Sequence, residues 1–283
     1  MDNRIFYNPK EKIQFKTQKK RVSLRTAVII ASCAVAVVGL AMTVRMREFQ
    51  INAISLQGLS AVREDDVRKE IASALDGSYL GGMVPYRFLL SVPTQYISNR
   101  LKERFPLIAQ ADVKKEFPNA LAVAFTEREL FGVLCNDAVS EEQALVEDRE
   151  VQCAYLDTSG IAYQKAPQTQ GFLLMKVSVG PSDIPIGSQV IDTAVMRRML
   201  DLNKALPSTI NSAIMSYQIP NPVSHELHAV TKDGFSLLMK QDDDMNAMLY
   251  VLKTVLTKEI GSKRKNLLYI DLRFGNKVFY KFK

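Results

Sequence analysis

The chain has 283 residues, 47% of them hydrophobic and 24% charged, a composition that folds and excludes wholesale disorder and collagen-like or mucin-like chains. Three Cys and two His are too few for a zinc ribbon or a disulfide-dense scaffold. The formal charge of +7 is unevenly placed: residues 1–47 carry ten Lys and Arg against Asp2 and Glu11, while the rest carries 27 basic and 28 acidic residues. A neutral body lacks the broad positive field of a nucleic-acid-binding domain, so no nucleic acid is expected as a partner.

Ala27 to Val44 reads AVIIASCAVAVVGLAMTV, without a charge. As a helix it would be about 27 Å long, close to the hydrocarbon core of a bilayer, and Arg45 can snorkel to extend it. A tail with Lys10, Lys12, Lys16, Lys19, Lys20, Arg21 and Arg25 precedes it, and only Arg45 and Arg47 follow before Arg63. The positive-inside rule therefore predicts a basic cytoplasmic tail over residues 1–26, a transmembrane helix over 27–44, and everything beyond Arg45 outside the cytoplasmic (inner) membrane. The rival is a cleaved signal peptide, with Gly39-Leu40-Ala41 as a passable small-x-small site. The long basic region and an apolar run beyond the usual roughly 7–15 residues favour an anchor. The tail reads as a topology signal with weak attraction for anionic lipid.

Beyond the anchor, Phe49/Ile51 and Ile54/Leu56 each repeat at period two with a shift between them, predicting a strand with a bulge that ends at Gly58. Ser60 or Arg63-Glu64-Asp65-Asp66 opens a helix with Val67, Ile71 and Ala74/Leu75 on its apolar face. A second helix runs from Pro93 to Arg104. Two strands, Ala109 to Lys115 and Ala120 to Thr126, flank Phe117-Pro118-Asn119. The order is strand, helix, helix, strand, strand.

The segments FQINAISLQGLSAVREDDVRKEI, LKERFPLIAQADVKKEFPNALAVAFTERE and the terminal YIDLRFGNKVFYK resemble the FtsQ/DivIB family of bacterial cell-division proteins. Phe117-Pro-Asn-x-Leu, Thr126-Glu-Arg and Ile270-Asp-Leu-Arg-Phe are its more specific parts. Leu56-Gln57-Gly58, in place of Val-x-Gly, and Glu129-Leu130, in place of a basic residue and Pro, depart from the family pattern. The resemblance implies an α+β protein: the transmembrane helix, a POTRA domain (β-α-α-β-β) over residues 48–129, and a second β-rich α+β domain over 130–283 that ends in a strand. It also implies a non-enzymatic, single-pass scaffold at the division septum. Its partners would be FtsB/DivIC-like and FtsL-like proteins that lead to septal peptidoglycan synthesis. The alternative is a POTRA-bearing component of a secretion or envelope-assembly system. That reading requires a following β-barrel, whereas this chain continues with two helices.

In the second domain, Cys153 to Tyr163 reads as a hairpin turning at Asp157 to Gly160, and Leu173 to Val179 as a strand. A helix from Ile191 is expected to stop at Pro207. Ile214 to Ile219 is a strand, Leu227 to Met239 a hairpin around Lys232-Asp233-Gly234, and Asp242-Asp243-Asp244 starts a helix through Glu259. The closing strand begins at Leu267. His225-x-x-His228 would put its two rings on opposite faces of a strand, a poor metal site, and no nucleophile–base motif is present. No cofactor, metal or small-molecule substrate is expected, and a third class, an anchored envelope hydrolase, lacks a visible catalytic set. Cys33 falls within the apolar run. Cys135 and Cys153, 18 positions apart and outside the membrane, are either a disulfide pair or two buried thiols.

At the C-terminus, Leu268, Ile270, Leu272 and Phe274 alternate with Tyr269, Asp271 and Arg273, and the same parity resumes at Val278, Tyr280 and Phe282. Gly275-Asn276 is either a bulge or a tight hairpin turn. Lys277, Lys281 and Lys283 fit a sheet edge guarded against pairing. The resemblance instead implies that Phe274, Gly275, Asn276, Lys277, Val278, Phe279 and Tyr280 receive a partner segment as an added strand.

Overall fold

The computed structural model describes residues 24–138, 151–168, 174–221, 224–275 and 277–283. Most of the basic tail and Asn276 lie outside the described residues.

Helix α1 (Leu24–Arg45) contains the uncharged run and is long and apolar enough to cross a membrane. Val28, Ile29, Ile30, Val35 and Val37 all stand exposed along it. Among the described residues, almost nothing covers this apolar rod, as expected of a helix that faces lipid.

The next unit is a three-stranded sheet in the order β1-β5-β4, formed by β1 (Ala53–Gln57), β4 (Ile108–Glu116) and β5 (Ala120–Glu127). β1 runs parallel to β5 and β4 antiparallel. Helices α2 (Glu64–Ala74) and α3 (Thr94–Arg104) supply Val67, Ile71, Ile97 and Leu101 to a core shared with Leu121, Val123 and Phe125 of β5. Acidic residues fill the first turn of α2, where they complement the helix dipole. The first strand is shorter than its periodicity suggests. Arg47–Phe49 is a 3₁₀ turn, and the shift in parity falls at Asn52, whose N–H bonds Asn119 O at 3.0 Å. Gly58 has φ +86° and an added Cβ would lie 2.2 Å from Phe125 O, so the strand ends where only glycine fits. The stretch after α2 holds a short hairpin, β2 (Ser78–Tyr79) and β3 (Val84–Pro85), and is stitched to the juxtamembrane segment by Ile51 N–H to Arg87 O at 2.8 Å.

The C-terminal sheet has ten strands: β6 (Leu130–Cys135), β7 (Cys153–Asp157), β8 (Ile161–Lys165), β9 (Met175–Val179), β10 (Ser188–Gln189), β11 (Ile214–Ile219), β12 (Glu226–Thr231), β13 (Ser236–Lys240), β14 (Leu267–Phe274) and β15 (Lys277–Phe282). Their order is β10-β8-β7-β6-β9-β11-β12-β13-β14-β15, with parallel pairs at β6/β9, β9/β11 and β13/β14. One cross-strand row runs Ala154, Leu134, Val177, Tyr217, Ala229, Leu237, Ile270 and Tyr280. All but the last are buried, in the core they share with α4 (Thr193–Ile210) and α5 (Met245–Val255). The neighbouring row, including Ser178, Gln218, His228, Asp271 and Phe279, points to the opposite face.

Three local expectations are corrected. α4 does not stop at Pro207 but runs through it to Ile210 and is capped by left-handed Asn211. Pro207 forfeits one backbone bond in the last turn, while Leu206 and Ile210 on the buried stripe hold that turn to the core. α5 is shorter than expected: it ends at Val255, and Leu256–Ile260 widens into a π turn that still buries Leu256 and Ile260. In β14 the buried residue is Leu267 rather than Leu268, because the register against β15 slips between Leu267 and Tyr269.

The two sheets meet at Arg128. Its Nη1 donates to Asp157 Oδ2 at 2.7 Å and its Nε to Pro106 O at 2.6 Å. The Arg128 and Asp157 side chains are only 11% and 5% exposed. Burial alone would raise the Asp157 carboxyl, but bonds from Ile161 N–H, Ser159 and Arg128 outweigh it and hold the group below its ordinary value. Neighbouring Glu127 accepts the N–H groups of Ser60, Ala61 and Val62 ahead of α2. The pair Glu127-Arg128 thus fastens one turn within the first sheet unit and the joint to the second.

Candidate functional site

The ten-stranded sheet ends on β15, which pairs with β14 on one side and with nothing on the other among the described residues. The connection is a hairpin: Phe274 stands opposite Lys277, and Gly275 takes φ +63° in the turn. Both register shifts fall on β14, so β15 itself is regular. Lys283 N–H bonds Asn266 O at 2.8 Å, so this donor points toward β14. By strand alternation, Lys277, Phe279 and Lys281 turn their backbone groups inward, and those of Val278, Tyr280 and Phe282 face outward along the free edge.

The side chains on this edge are not uniformly polar. Phe274 is 54% exposed, Phe279 51% and Tyr280 40%. Their rings meet edge to face, Phe274 with Phe279 at 5.3 Å and Tyr280 with Phe282 at 5.6 Å between centroids. Val278 and Phe282 lean against the core, and Lys277, Lys281 and Lys283 are exposed. A recess of about 150 Å³ lies beside the turn, lined by Asp244, Ala247, Met248, Val251, Leu272 and Gly275 among others.

A polar network on the uncovered face supports the edge. Arg273 donates Nη2 to Asp271 Oδ2 and Nη1 to Glu226 Oε1, both at 2.6 Å, joining β14 to β12 across β13. Its guanidinium also lies 5.7 Å from the centre of the Phe274 ring. Burial would raise the Asp271 carboxyl, but the Arg273 bonds prevail and lower it; the same bonds raise Arg273. His228 faces Glu226 at 3.5 Å, and burial depresses its imidazole. Sequence parity places Asp271 and Arg273 on one face but does not show this brace, because Glu226 lies 47 positions away from Arg273.

The structure brings together the described residues of the expected partner strand. It places the cysteine pair elsewhere, toward the far side of the same sheet. Cys135 and Cys153 stand directly opposite each other on β6 and β7, with Cα atoms 4.2 Å apart, and form a disulfide. Asn136 N–H to Gln152 O, at 3.1 Å, is the next rung. Val133, Tyr155 and Leu174 pack around the bridge. His225 precedes β12 in a left-handed conformation and is exposed, so it is not gathered with His228. Asp244 caps α5 by accepting Ala247 N–H at 2.7 Å. Among the described residues, no group of three or more His, Cys, Asp or Glu is placed to hold a metal ion.

Residues 49–128 match the family model of the POTRA domain, FtsQ-type. The chain carries an FtsQ-type POTRA domain. Its apolar N-terminal helix and its β-rich C-terminal region ending in a strand, in a mixed α+β structure, are consistent with an FtsQ/DivIB-like organisation. No curated protein matches the chain. POTRA domains typically act by binding other proteins rather than by catalysis.

Proposed function

We propose that this FtsQ/DivIB-like chain is a non-enzymatic scaffold of the bacterial division machinery. Residues 1–26 form its cytoplasmic tail and 27–44 its membrane span, and the units at 48–129 and 130–283 lie outside. Its task is to hold FtsB/DivIC-like and FtsL-like partners and so couple them to septal peptidoglycan synthesis. The carrying observation is the β15 edge: a six-residue strand with no partner on its outer side among the described residues, with exposed rings at Phe279 and Tyr280 and a third, Phe274, at the adjoining end of β14. An extended FtsB/DivIC-like segment adds to it as the next strand, bonding the outward backbone of Val278, Tyr280 and Phe282 while the rings supply apolar anchors. The disulfide at Cys135 and Cys153 is the oxidised state expected of an extracytoplasmic domain.

Two measurements test this. A fluorescent fusion of the full chain should gather at mid-cell during constriction; a uniform envelope signal would count against a division role. The full chain in detergent should capture the extracytoplasmic segment of an FtsB/DivIC-like protein. Undiminished capture by the Val278→Pro and Phe279→Lys variants would remove the edge from the proposal.

A further inference from the structure

We infer that the POTRA unit does not float clear of the bilayer but rests on it, with Phe117, Phe49 and Leu90 seated in the outer headgroup layer. This rests on reading α1 as a membrane span. The first observation is the shortness of the link. α1 ends at Arg45, and its penultimate residue, Val44, is 7% exposed although the helix before it is bare. Arg47–Phe49 follows as a 3₁₀ turn, with Phe49 N–H bonded to Met46 O at 3.2 Å. Three such residues advance the chain by roughly 6 Å. The headgroup layer on one side of a bilayer is of similar depth, roughly 6 Å. Phe49 therefore stands at the interface.

The second observation is what surrounds Phe49. The β4–β5 turn is held against this linker by Asn119 O, which accepts the N–H groups of Asn52 at 3.0 Å and Ala53 at 3.5 Å. That anchorage puts the Phe117 ring 6.1 Å from the Phe49 ring. Phe117 is 79% exposed, more than any other large apolar side chain outside α1 among the described residues. Leu90, 76% exposed, belongs to the same end of the molecule: Phe88 bridges to Gln50, and Lys115 Nζ donates to Leu90 O at 2.8 Å. An aromatic and aliphatic patch beside the end of a membrane span matches the chemistry of the lipid interface. Arg45 and Arg47 are exposed at the same level, with Glu48 the single acid in the link, so the patch carries the positive charge that anionic headgroups favour. The occupant is thus the lipid surface itself. Its consequence is a fixed tilt: a domain tied by a short turn and seated on lipid presents β15 in a set direction.

The chain has no Trp, so a single introduced indole can be read alone. The full chain would be reconstituted into phosphatidylcholine–phosphatidylglycerol vesicles, with and without acyl-chain bromination, carrying Phe117→Trp, Leu90→Trp, Val35→Trp or Phe279→Trp. The expected result is blue-shifted emission quenched by brominated lipid for Phe117→Trp and Leu90→Trp, strong quenching for Val35→Trp within α1, and none for Phe279→Trp. Quenching of Val35→Trp with unquenched, water-exposed emission from both Phe117→Trp and Leu90→Trp overturns the seating while leaving the span intact. Unquenched Val35→Trp overturns both.

Discussion

The two sheets differ most at their edges. In the POTRA unit, the outer strand β4 shows Gln110, Asp112, Lys114 and Glu116 to solvent, all polar or charged, and an Arg68 guanidinium donates to the Ile54 carbonyl of the opposite edge strand at 2.6 Å. In the ten-stranded sheet, one edge is the two-residue β10, while the other is the six-residue β15 with exposed rings. Charge, side-chain capping and brevity are the usual means of blunting an edge against unwanted pairing. Three of the four edges use one of them and carry no exposed ring. β15 keeps lysines but also offers aromatic anchors and a regular backbone, the combination that a strand-donating partner needs.

Among the described residues, the two sheets are joined by one ion pair, Arg128 with Asp157. Arg128→Ala leaves the 5%-exposed Asp157 carboxylate without its cation and should cost about 3–5 kcal/mol. Urea unfolding should show the two sheets melting separately, and an unchanged midpoint would mean that the joint lies elsewhere. Asp157 sits below its ordinary value in the folded chain, so its contribution is present above about pH 4 and fades as pH falls through the folded value. The second sheet alone is stapled. Replacing Cys135 and Cys153 by Ala reopens a loop spanning 18 positions and should lower its stability by about 3 kcal/mol, leaving the POTRA transition in place. Hydrogen exchange resolved by segment would separate these outcomes.

Changes on the edge itself should be smaller in stability and sharper in binding. Val278→Pro deletes an outward donor and should cost about 1–3 kcal/mol of partner affinity by titration calorimetry, with the melting curve little altered. Phe279→Lys gives β15 the character of β4 and should weaken capture in the same direction; if it does not, exposed rings are no guide to which edge is used. The least effect is expected from acid at His228, enclosed by Glu226, Asp271 and Arg273. Burial lowers its folded value, so the unfolded chain takes up the proton first as pH falls, and stability should decline below about pH 6.5. His228→Gln should flatten that slope between about pH 7.5 and pH 5.5 in urea midpoints.

The elements of the POTRA unit were legible because each is set by local pattern. Val67 and Ile71 recur at helical spacing, Leu121, Val123 and Phe125 at strand spacing, and all five are buried. Pro207 misled for the same reason: a local rule against proline in helices says nothing of the buried Ile210 beyond it. The stretch after α2 carries no clear period; its small hairpin pairs with itself, and Arg87 and Phe88 just beyond it bond the juxtamembrane linker. Phe117 was legible only as part of a turn; its exposure and its contact with Phe49, 68 positions earlier, were not.

The sequence by itself determined the apolar span, the alternation of strands and helices, the charge asymmetry and the closing run of strand-like residues, because these depend on spacing of a few residues and on composition. Which strand would be left without a neighbour was a matter for tertiary structure. β15 becomes an edge only because β13 and β14 pair in parallel through the α5 crossover, which brings the chain back to the outside of the sheet. The Arg273 brace, the Arg128 joint and the Phe49–Phe117 contact likewise join groups far apart in the chain. Their geometry follows from how the two sheets fold and meet, and no period in the sequence encodes it.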